Sequence, residues 1–265
     1  MENMKTFLVT NDDGILSEGL LVLSEVASLF GRVVVVAPET EKSGISHAIT
    51  LSEPLRVRKV RDSFFALSGT PADCVFIGLH HILAGTKVDF VLSGINRGPN
   101  LGFDVLYSGT VGGAMEGVIQ GLPSLAFSFV CRGEYPFRAV ARYVEAILRE
   151  AVEHGIPKGV LLNINIPSPF IASFRGFKVT RLGQRFYSND VIARQDPRGG
   201  EYLWIGGTRV TMEDDEETDC GALKRGFVTI TPVAPQVMAA WAMKELLRFE
   251  SLDAQEVSVV HGSRQ

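Results

Sequence analysis

Short apolar, β-branched runs alternate with helical patterns through the first two thirds of this 265-residue chain, and this alternation most limits its fold. Apolar runs occupy residues 6–10, 33–37, 89–92, 124–129 and 160–166, and residues at helical spacing lie between them. Such alternation is typical of βαβ units, in which helices cover both faces of a parallel sheet. We therefore predict an α/β fold built on a parallel sheet, and we place this core at residues 1–167.

The pattern changes after Pro167. Residues 177–181, 202–205 and 227–232 have the composition of strands, and we expect antiparallel pairing for them. A final helix with one apolar face is predicted from Pro235 to about Phe249. We accordingly predict a β-rich C-terminal extension at residues 168–250 and a disordered tail at residues 251–265.

Composition and charge exclude several classes of protein. The net charge of −4 argues against binding to nucleic-acid polymers, which bind to basic surfaces. The three cysteines are odd in number and form no C-x-x-C pair, which favours buried thiols in a reducing compartment over a disulfide framework. The apolar stretch near the N-terminus is too short for a signal peptide, and no run reaches membrane-spanning length. We expect a cytoplasmic protein with no membrane partner.

Polar side chains follow three of the predicted strands. Asp12 and Asp13 follow the first, a loop containing Ser43 follows the second, and Asn96 and Asn100 follow the strand that ends at Leu92. In an open parallel sheet the carboxyl ends of the strands meet at one edge, where ligands bind. Carboxylate, hydroxyl and carboxamide oxygens suit Mg²⁺, Mn²⁺ or Ca²⁺ better than zinc. The sequence thus indicates a divalent-cation site, although Asn-Asp-Asp-Gly is also a good turn sequence.

A second feature is the helix start at Ser108, Gly109 and Thr110. Free backbone N–H groups and hydroxyls at a helix N-terminus can bind an anion, although an ordinary helix cap has the same appearance. Beside a cation site they would hold a phosphate, and the combination predicts phosphoryl chemistry. The chain contains no Walker A, dinucleotide-binding or G-x-S-x-G motif.

Three further patterns carry weaker predictions. Gly112, Gly113 and Gly117 would weaken a helix, so we expect them to mark a close backbone approach to a sheet or ligand. His47 is a candidate acid or base, but a lone histidine before an apolar strand more often has a structural role. The acidic run 213–219 lacks the spacing of a calcium loop and is predicted to be a solvated loop.

Six ordered blocks in the first half of the chain resemble the stationary-phase survival protein SurE family. They are NDDG within residues 9–14, VAP at 36–38, Ser43 with 47–50, GTPADC at 69–74, SGINRGPN at 93–100 and YSGTV at 107–111. NINIP at 163–167 and ITP at 230–232 extend the likeness. The chain departs from the family at Ser46, where members often have glycine before the histidine.

The resemblance implies a Rossmann-like core and a metal-dependent nucleotidase. The enzyme would hydrolyse nucleoside 5′- and 3′-monophosphates, and some members also trim short polyphosphate. It implies metal ligands at Asp12, Asp13, Ser43 and Asn96, with Asp12 or Asp13 assisting proton transfer from water. Phosphate contacts would come from Asn100, Ser108, Gly109 and Thr110. It also implies a homodimer or homotetramer in which a C-terminal segment is exchanged.

Two other functions compete with this interpretation. A haloacid-dehalogenase-like phosphatase would use a nucleophilic aspartate, but it requires D-x-D, and here Asp12 and Asp13 are adjacent. A phosphorylatable receiver module also holds Mg²⁺ with paired acids after its first strand. It would be about half this length and would need a phospho-accepting aspartate where Ser93 to Asn96 stand.

Overall fold

The computed structural model describes residues 4–131, 133, 136–168, 171–188, 190–206, 210–236 and 243–247. The strands described are β1 (Lys5–Thr10), β2 (Gly31–Pro38), β3 (Val57–Arg61), β4 (Phe64–Leu67), β5 (Phe90–Arg97), β6 (Ser124–Val130), β7 (Leu161–Pro167), β8 (Gly176–Val179), β9 (Arg185–Tyr187), β10 (Val191–Gln195), β11 (Glu201–Ile205), β12 (Val210–Met212) and β13 (Phe227–Val233). The α-helices described are α1 (Glu18–Ala27), α2 (Pro71–Ile77), α3 (Gly109–Ile119), α4 (Ala141–His154), α5 (Asp219–Lys224) and α6 (Met243–Leu246).

Nine of these strands form one sheet in the order β3-β4-β2-β1-β5-β6-β7-β13-β8. The six strands from β4 to β7 in that order run parallel. β3 is antiparallel at one edge, and β13 pairs antiparallel with β7 and parallel with β8 at the other. The predicted α/β fold with a mostly parallel sheet is therefore confirmed.

The two faces of the sheet are covered by different helices, because successive side chains of a strand point to opposite faces. In β1, Phe7 and Val9 join the core cluster beneath α1 and α4, whereas Leu8 joins the cluster beneath α2. α3 packs beside α2 on that second face. All three β1 side chains are fully buried, as the continuous apolar runs predict.

Local sequence signals explain where the helices begin. Thr70 and Asp73 form a capping box at the start of α2, with Pro71 in the first turn. The predicted helix to about Leu83 continues beyond Ile77 as a π-helical turn over Gly78–Ile82. α1 and α3 are capped by the hydroxyls of Ser17 and Ser108.

The glycines of α3 allow that helix to lie directly against its neighbours, as predicted. A Cβ atom on Gly117 would lie 2.3 Å from Ser124 Oγ, and one on Gly113 would lie 2.9 Å from Thr10 Cγ2. On Gly112 it would lie 2.6 Å from the backbone oxygen of Ser46. The glycines therefore set the height of α3 over the sheet and bring its N-terminus close to the loop after β2.

The chain after Pro167 is β-rich, as predicted, but part of it completes the main sheet. β13 pairs with β7 at five positions and with β8 at four. β10 and β11 form an antiparallel hairpin, and β9 pairs with β12. The predicted domain boundary at 167 thus does not coincide with an edge of the sheet.

The acidic run 213–219 is not wholly a solvated loop, and the prediction was wrong for Asp219. This residue is fully buried in the first turn of α5, where one carboxylate oxygen accepts hydrogen bonds from the backbone N–H groups of Gly183 and Cys220. These backbone donors offset the cost of burying the charge. The acidic composition of the run gave no sign that such donors would surround Asp219. Glu213 and Asp215 do lie at the surface, where both pair with Arg181.

The chain divides into two compact units, one of residues 1–235 and a second of residues 236–265. The second unit is described at residue 236 and at 243–247, where α6 confirms part of the predicted final helix. Residues 237–242, 248–250 and the predicted tail 251–265 lie outside the described residues. Cys74, Cys131 and Cys220 are all buried, and they form no disulfide with one another. In the part of the chain that is described, no helix is long and apolar enough to cross a membrane.

Candidate active site

A cavity of about 790 Å³ opens at the carboxyl ends of β1, β2 and β5. Five of the residues predicted from sequence line it together: Asp12, Ser43, Asn96, Asn100 and Ser108. They come from separate segments of the chain, and the parallel topology brings them to one edge of the sheet.

The turn after β1 fixes the position of Asp12. Asn11 is fully buried, and its Nδ2 donates to the backbone oxygen of Gly14 at 3.0 Å and to Ser17 Oγ at 2.7 Å. Gly14 has a φ of 96°, a conformation that side chains with a Cβ rarely adopt. The backbone N–H of Lys42 donates to the carbonyl oxygen of Asp12 at 2.7 Å, which links the turn to the loop after β2.

The carboxylate of Asp12 is almost fully buried and faces the start of α3. Thr110 donates to it twice, from its backbone N–H at 3.0 Å and from its hydroxyl at 2.5 Å. Burial raises the pKa of Asp12 to about 6, although the Thr110 hydroxyl opposes this shift. Gly109 leaves room for the carboxylate, since a Cβ there would lie 2.8 Å from Asp12 Cβ. Gly109 and Thr110 thus act on Asp12 in this structure, and their contact with phosphate stays a prediction.

Asp13 lies on the other side of the turn. It lines a neighbouring cavity of about 400 Å³ that also contains Glu39 and Glu41, and Arg97 lines both cavities. The backbone N–H of Arg97 donates to Asp13 Oδ2 at 3.2 Å. Burial raises the pKa of Asp13, and this backbone hydrogen bond opposes the shift. The carboxylates of Asp12 and Asp13 are therefore adjacent in sequence but line different cavities.

The remaining predicted ligands offer oxygen atoms at the same edge. Asn96 Nδ2 donates to the backbone oxygen of Gly98 at 3.0 Å, so its carbonyl oxygen is the atom suited to bind a cation. Ser43 is exposed, and its hydroxyl donates to Glu41 Oε1 at 2.8 Å. No three His, Cys, Asp or Glu side chains in the described segments converge as a metal site. A set of two carboxylates, one hydroxyl and one carboxamide fits a hard cation and gives no such cluster.

Asn100 is held by a clamp of side chains that sequence reasoning did not identify. The Asn165 side chain accepts a hydrogen bond from the backbone N–H of Asn100 at 2.8 Å and donates to the backbone carbonyl oxygen of Asn100 at 3.0 Å. Asn163 donates to the same carbonyl at 2.8 Å, and Asn100 Nδ2 donates to Ser128 Oγ at 2.8 Å. All four residues are buried. The available signal was the pair of asparagines two residues apart in an apolar strand, because that spacing puts both on one face.

Ser46 fastens the loop after β2 to the segment just before α3, and His47 fastens it to α3 itself. Ser46 has a φ of 59°, which explains why glycine suits this position in the family. The Ser46 hydroxyl donates to the carbonyl oxygen of Leu106 at 2.6 Å, and the Ser46 backbone N–H donates to the carbonyl oxygen of Tyr107 at 2.9 Å. His47 Nε2 lies 2.8 Å from Oε2 of buried Glu116, and this contact lowers the pKa of the Glu116 carboxyl. The pairing gives His47 a structural role, in line with the prediction.

The far wall of the larger cavity contains a second group that the sequence did not reveal. Arg185 and Asp104 form a largely buried ion pair. The Tyr187 hydroxyl donates to the same carboxylate and lies 2.9 Å from Asp104 Oδ1 and 2.8 Å from Asp104 Oδ2. Burial and the contact with Asp104 raise the pKa of Tyr187 to about 12. Asp219 accepts from the backbone N–H groups of Gly102 and Gly183, both at 2.8 Å. These residues are far apart in sequence, and no motif connects them.

Comparison with known proteins identifies what this arrangement resembles. The sequence model described as "Survival protein SurE" matches residues 7–189, which include every cavity-lining position from Asp12 to Tyr187. The 5′-nucleotidase SurE of Aquifex aeolicus is 44% identical over 248 residues, which cover 93% of this chain and 99% of that protein. The 5′-nucleotidase SurE of Myxococcus xanthus is 44% identical over 230 residues, covering 86% and 87%. The crystal structure of the SurE protein from Aquifex aeolicus has a TM-score of 0.80 and 42% identity, covering 92% of this chain and 99% of that one.

Proposed function

The chain belongs to the survival protein SurE family, and on that basis we propose that it is a 5′-nucleotidase that hydrolyses nucleoside monophosphates with the help of a divalent cation. The observation that carries the proposal is the convergence of Asp12, Ser43 and Asn96 on one cavity that also contains the start of α3 at Ser108. The haloacid-dehalogenase-like and receiver alternatives lose their support, because the matched family is a different one.

The residues proposed to hold the cation are Asp12, Asp13, Ser43 and Asn96. When bound, the cation would offset the charge of the phosphate and favour attack by water on phosphorus. Mg²⁺ or Mn²⁺ suits this set of oxygen donors, and Ca²⁺ could occupy the same position in crystals. Asp13 lines the neighbouring cavity, so its substitution is the more informative test of the four-residue set.

The chain's own groups would bind and orient the phosphate. Ser108 Oγ accepts from the backbone N–H of Val111 at 3.0 Å, which leaves its own proton to donate to a phosphate oxygen. The N-terminus of α3 favours negative charge at that position. Asn100 is presented from the clamp on β7, and rigid donors of this kind stabilise the charge that develops during phosphoryl transfer. Asp12 or Asp13 would take the proton from the attacking water.

The test is hydrolysis of AMP by the purified protein before chelation, after chelation, and after addition of Mg²⁺ or Mn²⁺. We expect chelation to abolish phosphate release and cation addition to restore it. Asp12→Asn and Asp13→Asn should each lower kcat/KM by about a hundredfold or more, as the loss of a principal charge in a phosphoryl-transfer site does. Full activity in the chelated or substituted protein would refute the metal-dependent mechanism.

A panel containing 3′-AMP and short-chain polyphosphate extends this test. The resemblance to the family supports both as further substrates, and the volume of the cavity accommodates a ligand larger than phosphate. Hydrolysis of 5′-AMP alone would restrict the function to 5′-monophosphates.

Two further expectations belong to the same proposal. The segment 168–250 would be exchanged between subunits of a homodimer or homotetramer acting in the cytoplasm. Exposed apolar side chains on the β10–β11 hairpin support an interface, since Leu203, Trp204 and Ile205 are all more than half exposed. Light scattering after size-exclusion chromatography would give the molar mass, and a monomer would contradict the exchange.

A further inference from the structure

The larger cavity is lined by side chains of two kinds. Asp12, Asn96 and Ser108 supply polar groups, and we call this part of the lining the phosphate end. The later segments of the chain supply the exposed side chains of Tyr187, Val191 and Ile205, which define what we call the other end, beside the charged Asp104 and Arg185. A cavity of about 790 Å³ that combines polar groups with aromatic and apolar ones suits a ligand of nucleotide size better than phosphate alone.

Tyr187 is the most rigidly held aromatic side chain at this end. Its hydroxyl is fixed by hydrogen bonds to both oxygens of Asp104, and the Arg185 guanidinium carbon lies 5.0 Å from the centre of its ring. Asp104 is itself paired with Arg185. Tyr187 is nevertheless 46% exposed, so a fixed ring is presented to the cavity. A ring held in this way loses little conformational entropy when a ligand stacks on it.

Asp104 also connects this ring to the phosphate end. While its side chain holds Tyr187, its backbone oxygen accepts from the N–H of Ser108, the residue that caps α3, at 3.0 Å. Asp219 fastens the two segments together through Gly102 and Gly183, and a Cβ on Gly102 would lie 2.5 Å from the backbone oxygen of Gly183. Asp104 therefore holds the ring and the proposed phosphate-binding helix end in a fixed relation, and Asp219 reinforces it.

We propose that the Tyr187 ring is a stacking platform for the nucleobase, positioned by Asp104 and Arg185. The proposal rests on the proposed nucleotidase function and deepens it, since it names the part of the site that contacts the base. Stacking on a ring tolerates any base, because every base has a π face, whereas hydrogen-bond readout would select one. The platform therefore gives affinity for nucleotides as a class.

The experiment compares AMP with ribose 5-phosphate, which carries the same phosphate and sugar but no base. Tyr187→Ala should lower the ratio of kcat/KM for AMP to kcat/KM for ribose 5-phosphate by about tenfold to a hundredfold, the usual effect of losing one base–aromatic stack. The change should appear mainly in KM, because stacking binds the ground state and the transition state equally. Tyr187→Phe keeps the ring and should recover most of the ratio.

Phe186→Ala is the matched control. It removes an exposed aromatic ring from the neighbouring position of β9, whose side chain points to the opposite face and is absent from the residues described along the cavity. Its substrate ratio should stay close to that of the wild-type protein. Equal loss of activity on both substrates in Tyr187→Ala, or no loss on either, would overturn the platform. If the wild-type protein hydrolyses neither substrate, the nucleotidase function itself fails, and the proposal fails with it.

Discussion

At the scale of single residues, Asp12 lies in a buried position that disfavours the ionised form of its carboxyl group. Its carboxylate is nearly inaccessible to water, and Thr110 supplies the two hydrogen bonds it receives from the start of α3. The pKa is raised from the ordinary value of 3.8 to about 6, so desolvation outweighs these hydrogen bonds. A bound cation would reverse this balance, and the protein without a cation therefore carries a destabilising carboxylate above about pH 6.

Substitution of that carboxylate by an amide should separate stability from activity. Because the folded-state pKa lies above the unfolded value, ionisation costs stability as pH rises through about 6. Asp12→Asn should therefore raise the free energy of unfolding of the chelated protein at about pH 7.5 by roughly 2–3 kcal/mol, although it lowers kcat/KM for AMP about a hundredfold or more when the cation is present. The amide can keep both contacts, since the Thr110 hydroxyl can also accept a hydrogen bond.

Urea unfolding in the presence of a chelator measures this gain. Asp62→Asn is the control, because the Asp62 side chain is 97% exposed and its ion pair with Lys59 lies at the surface, where such pairs contribute little to stability. An Asp12→Asn protein no more stable than the wild type would show that the buried carboxylate is not destabilising.

Glu116 gives the opposite pH dependence. Its pKa is lowered, chiefly by the hydrogen bond with His47, so its stabilising effect is present above the ordinary value of 4.5 and is lost as pH falls through the folded-state pKa. Glu116→Gln should lower the free energy of unfolding by about 1–2 kcal/mol near pH 7, and the difference from wild type should shrink toward pH 4. Urea titrations at several pH values would measure it.

A matched control for Glu116 exists on α4. Glu150 also lies near a histidine, His154, but at 3.9 Å and with 76% of its side chain exposed. Glu150→Gln should leave stability almost unchanged at every pH, as expected for an exposed pair. A difference between Glu116→Gln and wild type that did not vary with pH would contradict the assigned cause.

Individual site residues could be predicted where sequence motif and strand end coincide. Asp12 and Ser43 follow strands that the apolar runs mark clearly, Asn96 lies near the end of a third such strand, and the sheet topology then brings them together. Asp104 and Tyr187 could not be found in this way, because their contact depends on how a late, weakly patterned segment packs against the core. Long-range side-chain pairing of that kind leaves no periodic trace in the sequence.

At the scale of secondary-structure elements, α3 shows how a helix can combine close packing with low helix propensity. Its glycines are each about 1 kcal/mol less favourable than alanine in an exposed helix. Their small size lets the helix backbone reach the sheet at Ser124 and the loop after β2 at Ser46. This closeness lets Thr110 and Gly109 contact Asp12.

Gly117→Ala tests that account through the sign of its effect. In an unconstrained helix the change would stabilise the protein by about 1 kcal/mol. Here the new Cβ would lie 2.3 Å from Ser124 Oγ and 2.7 Å from Val91 Cβ, so we expect destabilisation by about 1–3 kcal/mol. Ile119→Ala, at an exposed position of the same helix, should cost far less. A stabilised Gly117→Ala protein in urea unfolding would contradict the close packing of α3.

The elements differ in how well the sequence predicts them. The core strands and the capped starts of α1, α2 and α3 have strong local signals, and the structure places them close to the predicted positions. The predicted end of one strand at Leu92 was wrong, because β5 continues to Arg97. The end of α2 was less predictable, because the π-helical turn after Ile77 continues the same apolar pattern. The role of β13 was also hidden, since antiparallel pairing with β7 depends on topology and not on composition.

At the scale of the whole molecule, the large sheet joins the early and late parts of the chain. Val228 of β13 is fully buried in the same core cluster as Phe7 and Leu20. β13 also covers the edge of β7, the strand that carries Asn163 and Asn165. The clamp on Asn100 is thus supported by residues from beyond position 226.

A fragment comprising residues 1–167 should therefore fail to fold into an active protein. Its β7 edge would be exposed along five paired positions, and the buried cluster would lose Val228 and Ile230. We expect poor solubility, no cooperative unfolding by circular dichroism and no AMP hydrolysis. A fragment of residues 1–235, which retains β13 and α5, is the control. A cooperatively folding, active 1–167 fragment would instead establish the predicted domain boundary as real.

The buried carboxylate of Asp219 has a consequence for the time at which activity can arise. It accepts hydrogen bonds from the backbone N–H groups of both Gly102 and Gly183. It therefore joins the segment before α3 to the wall of the cavity that carries Tyr187. A ribosome makes the chain from its N-terminus, so all the proposed cation ligands emerge more than a hundred residues before this carboxylate does. A nascent chain would carry the acids without the finished cavity, and nucleotide hydrolysis would begin only after the segment containing Asp219 has been made.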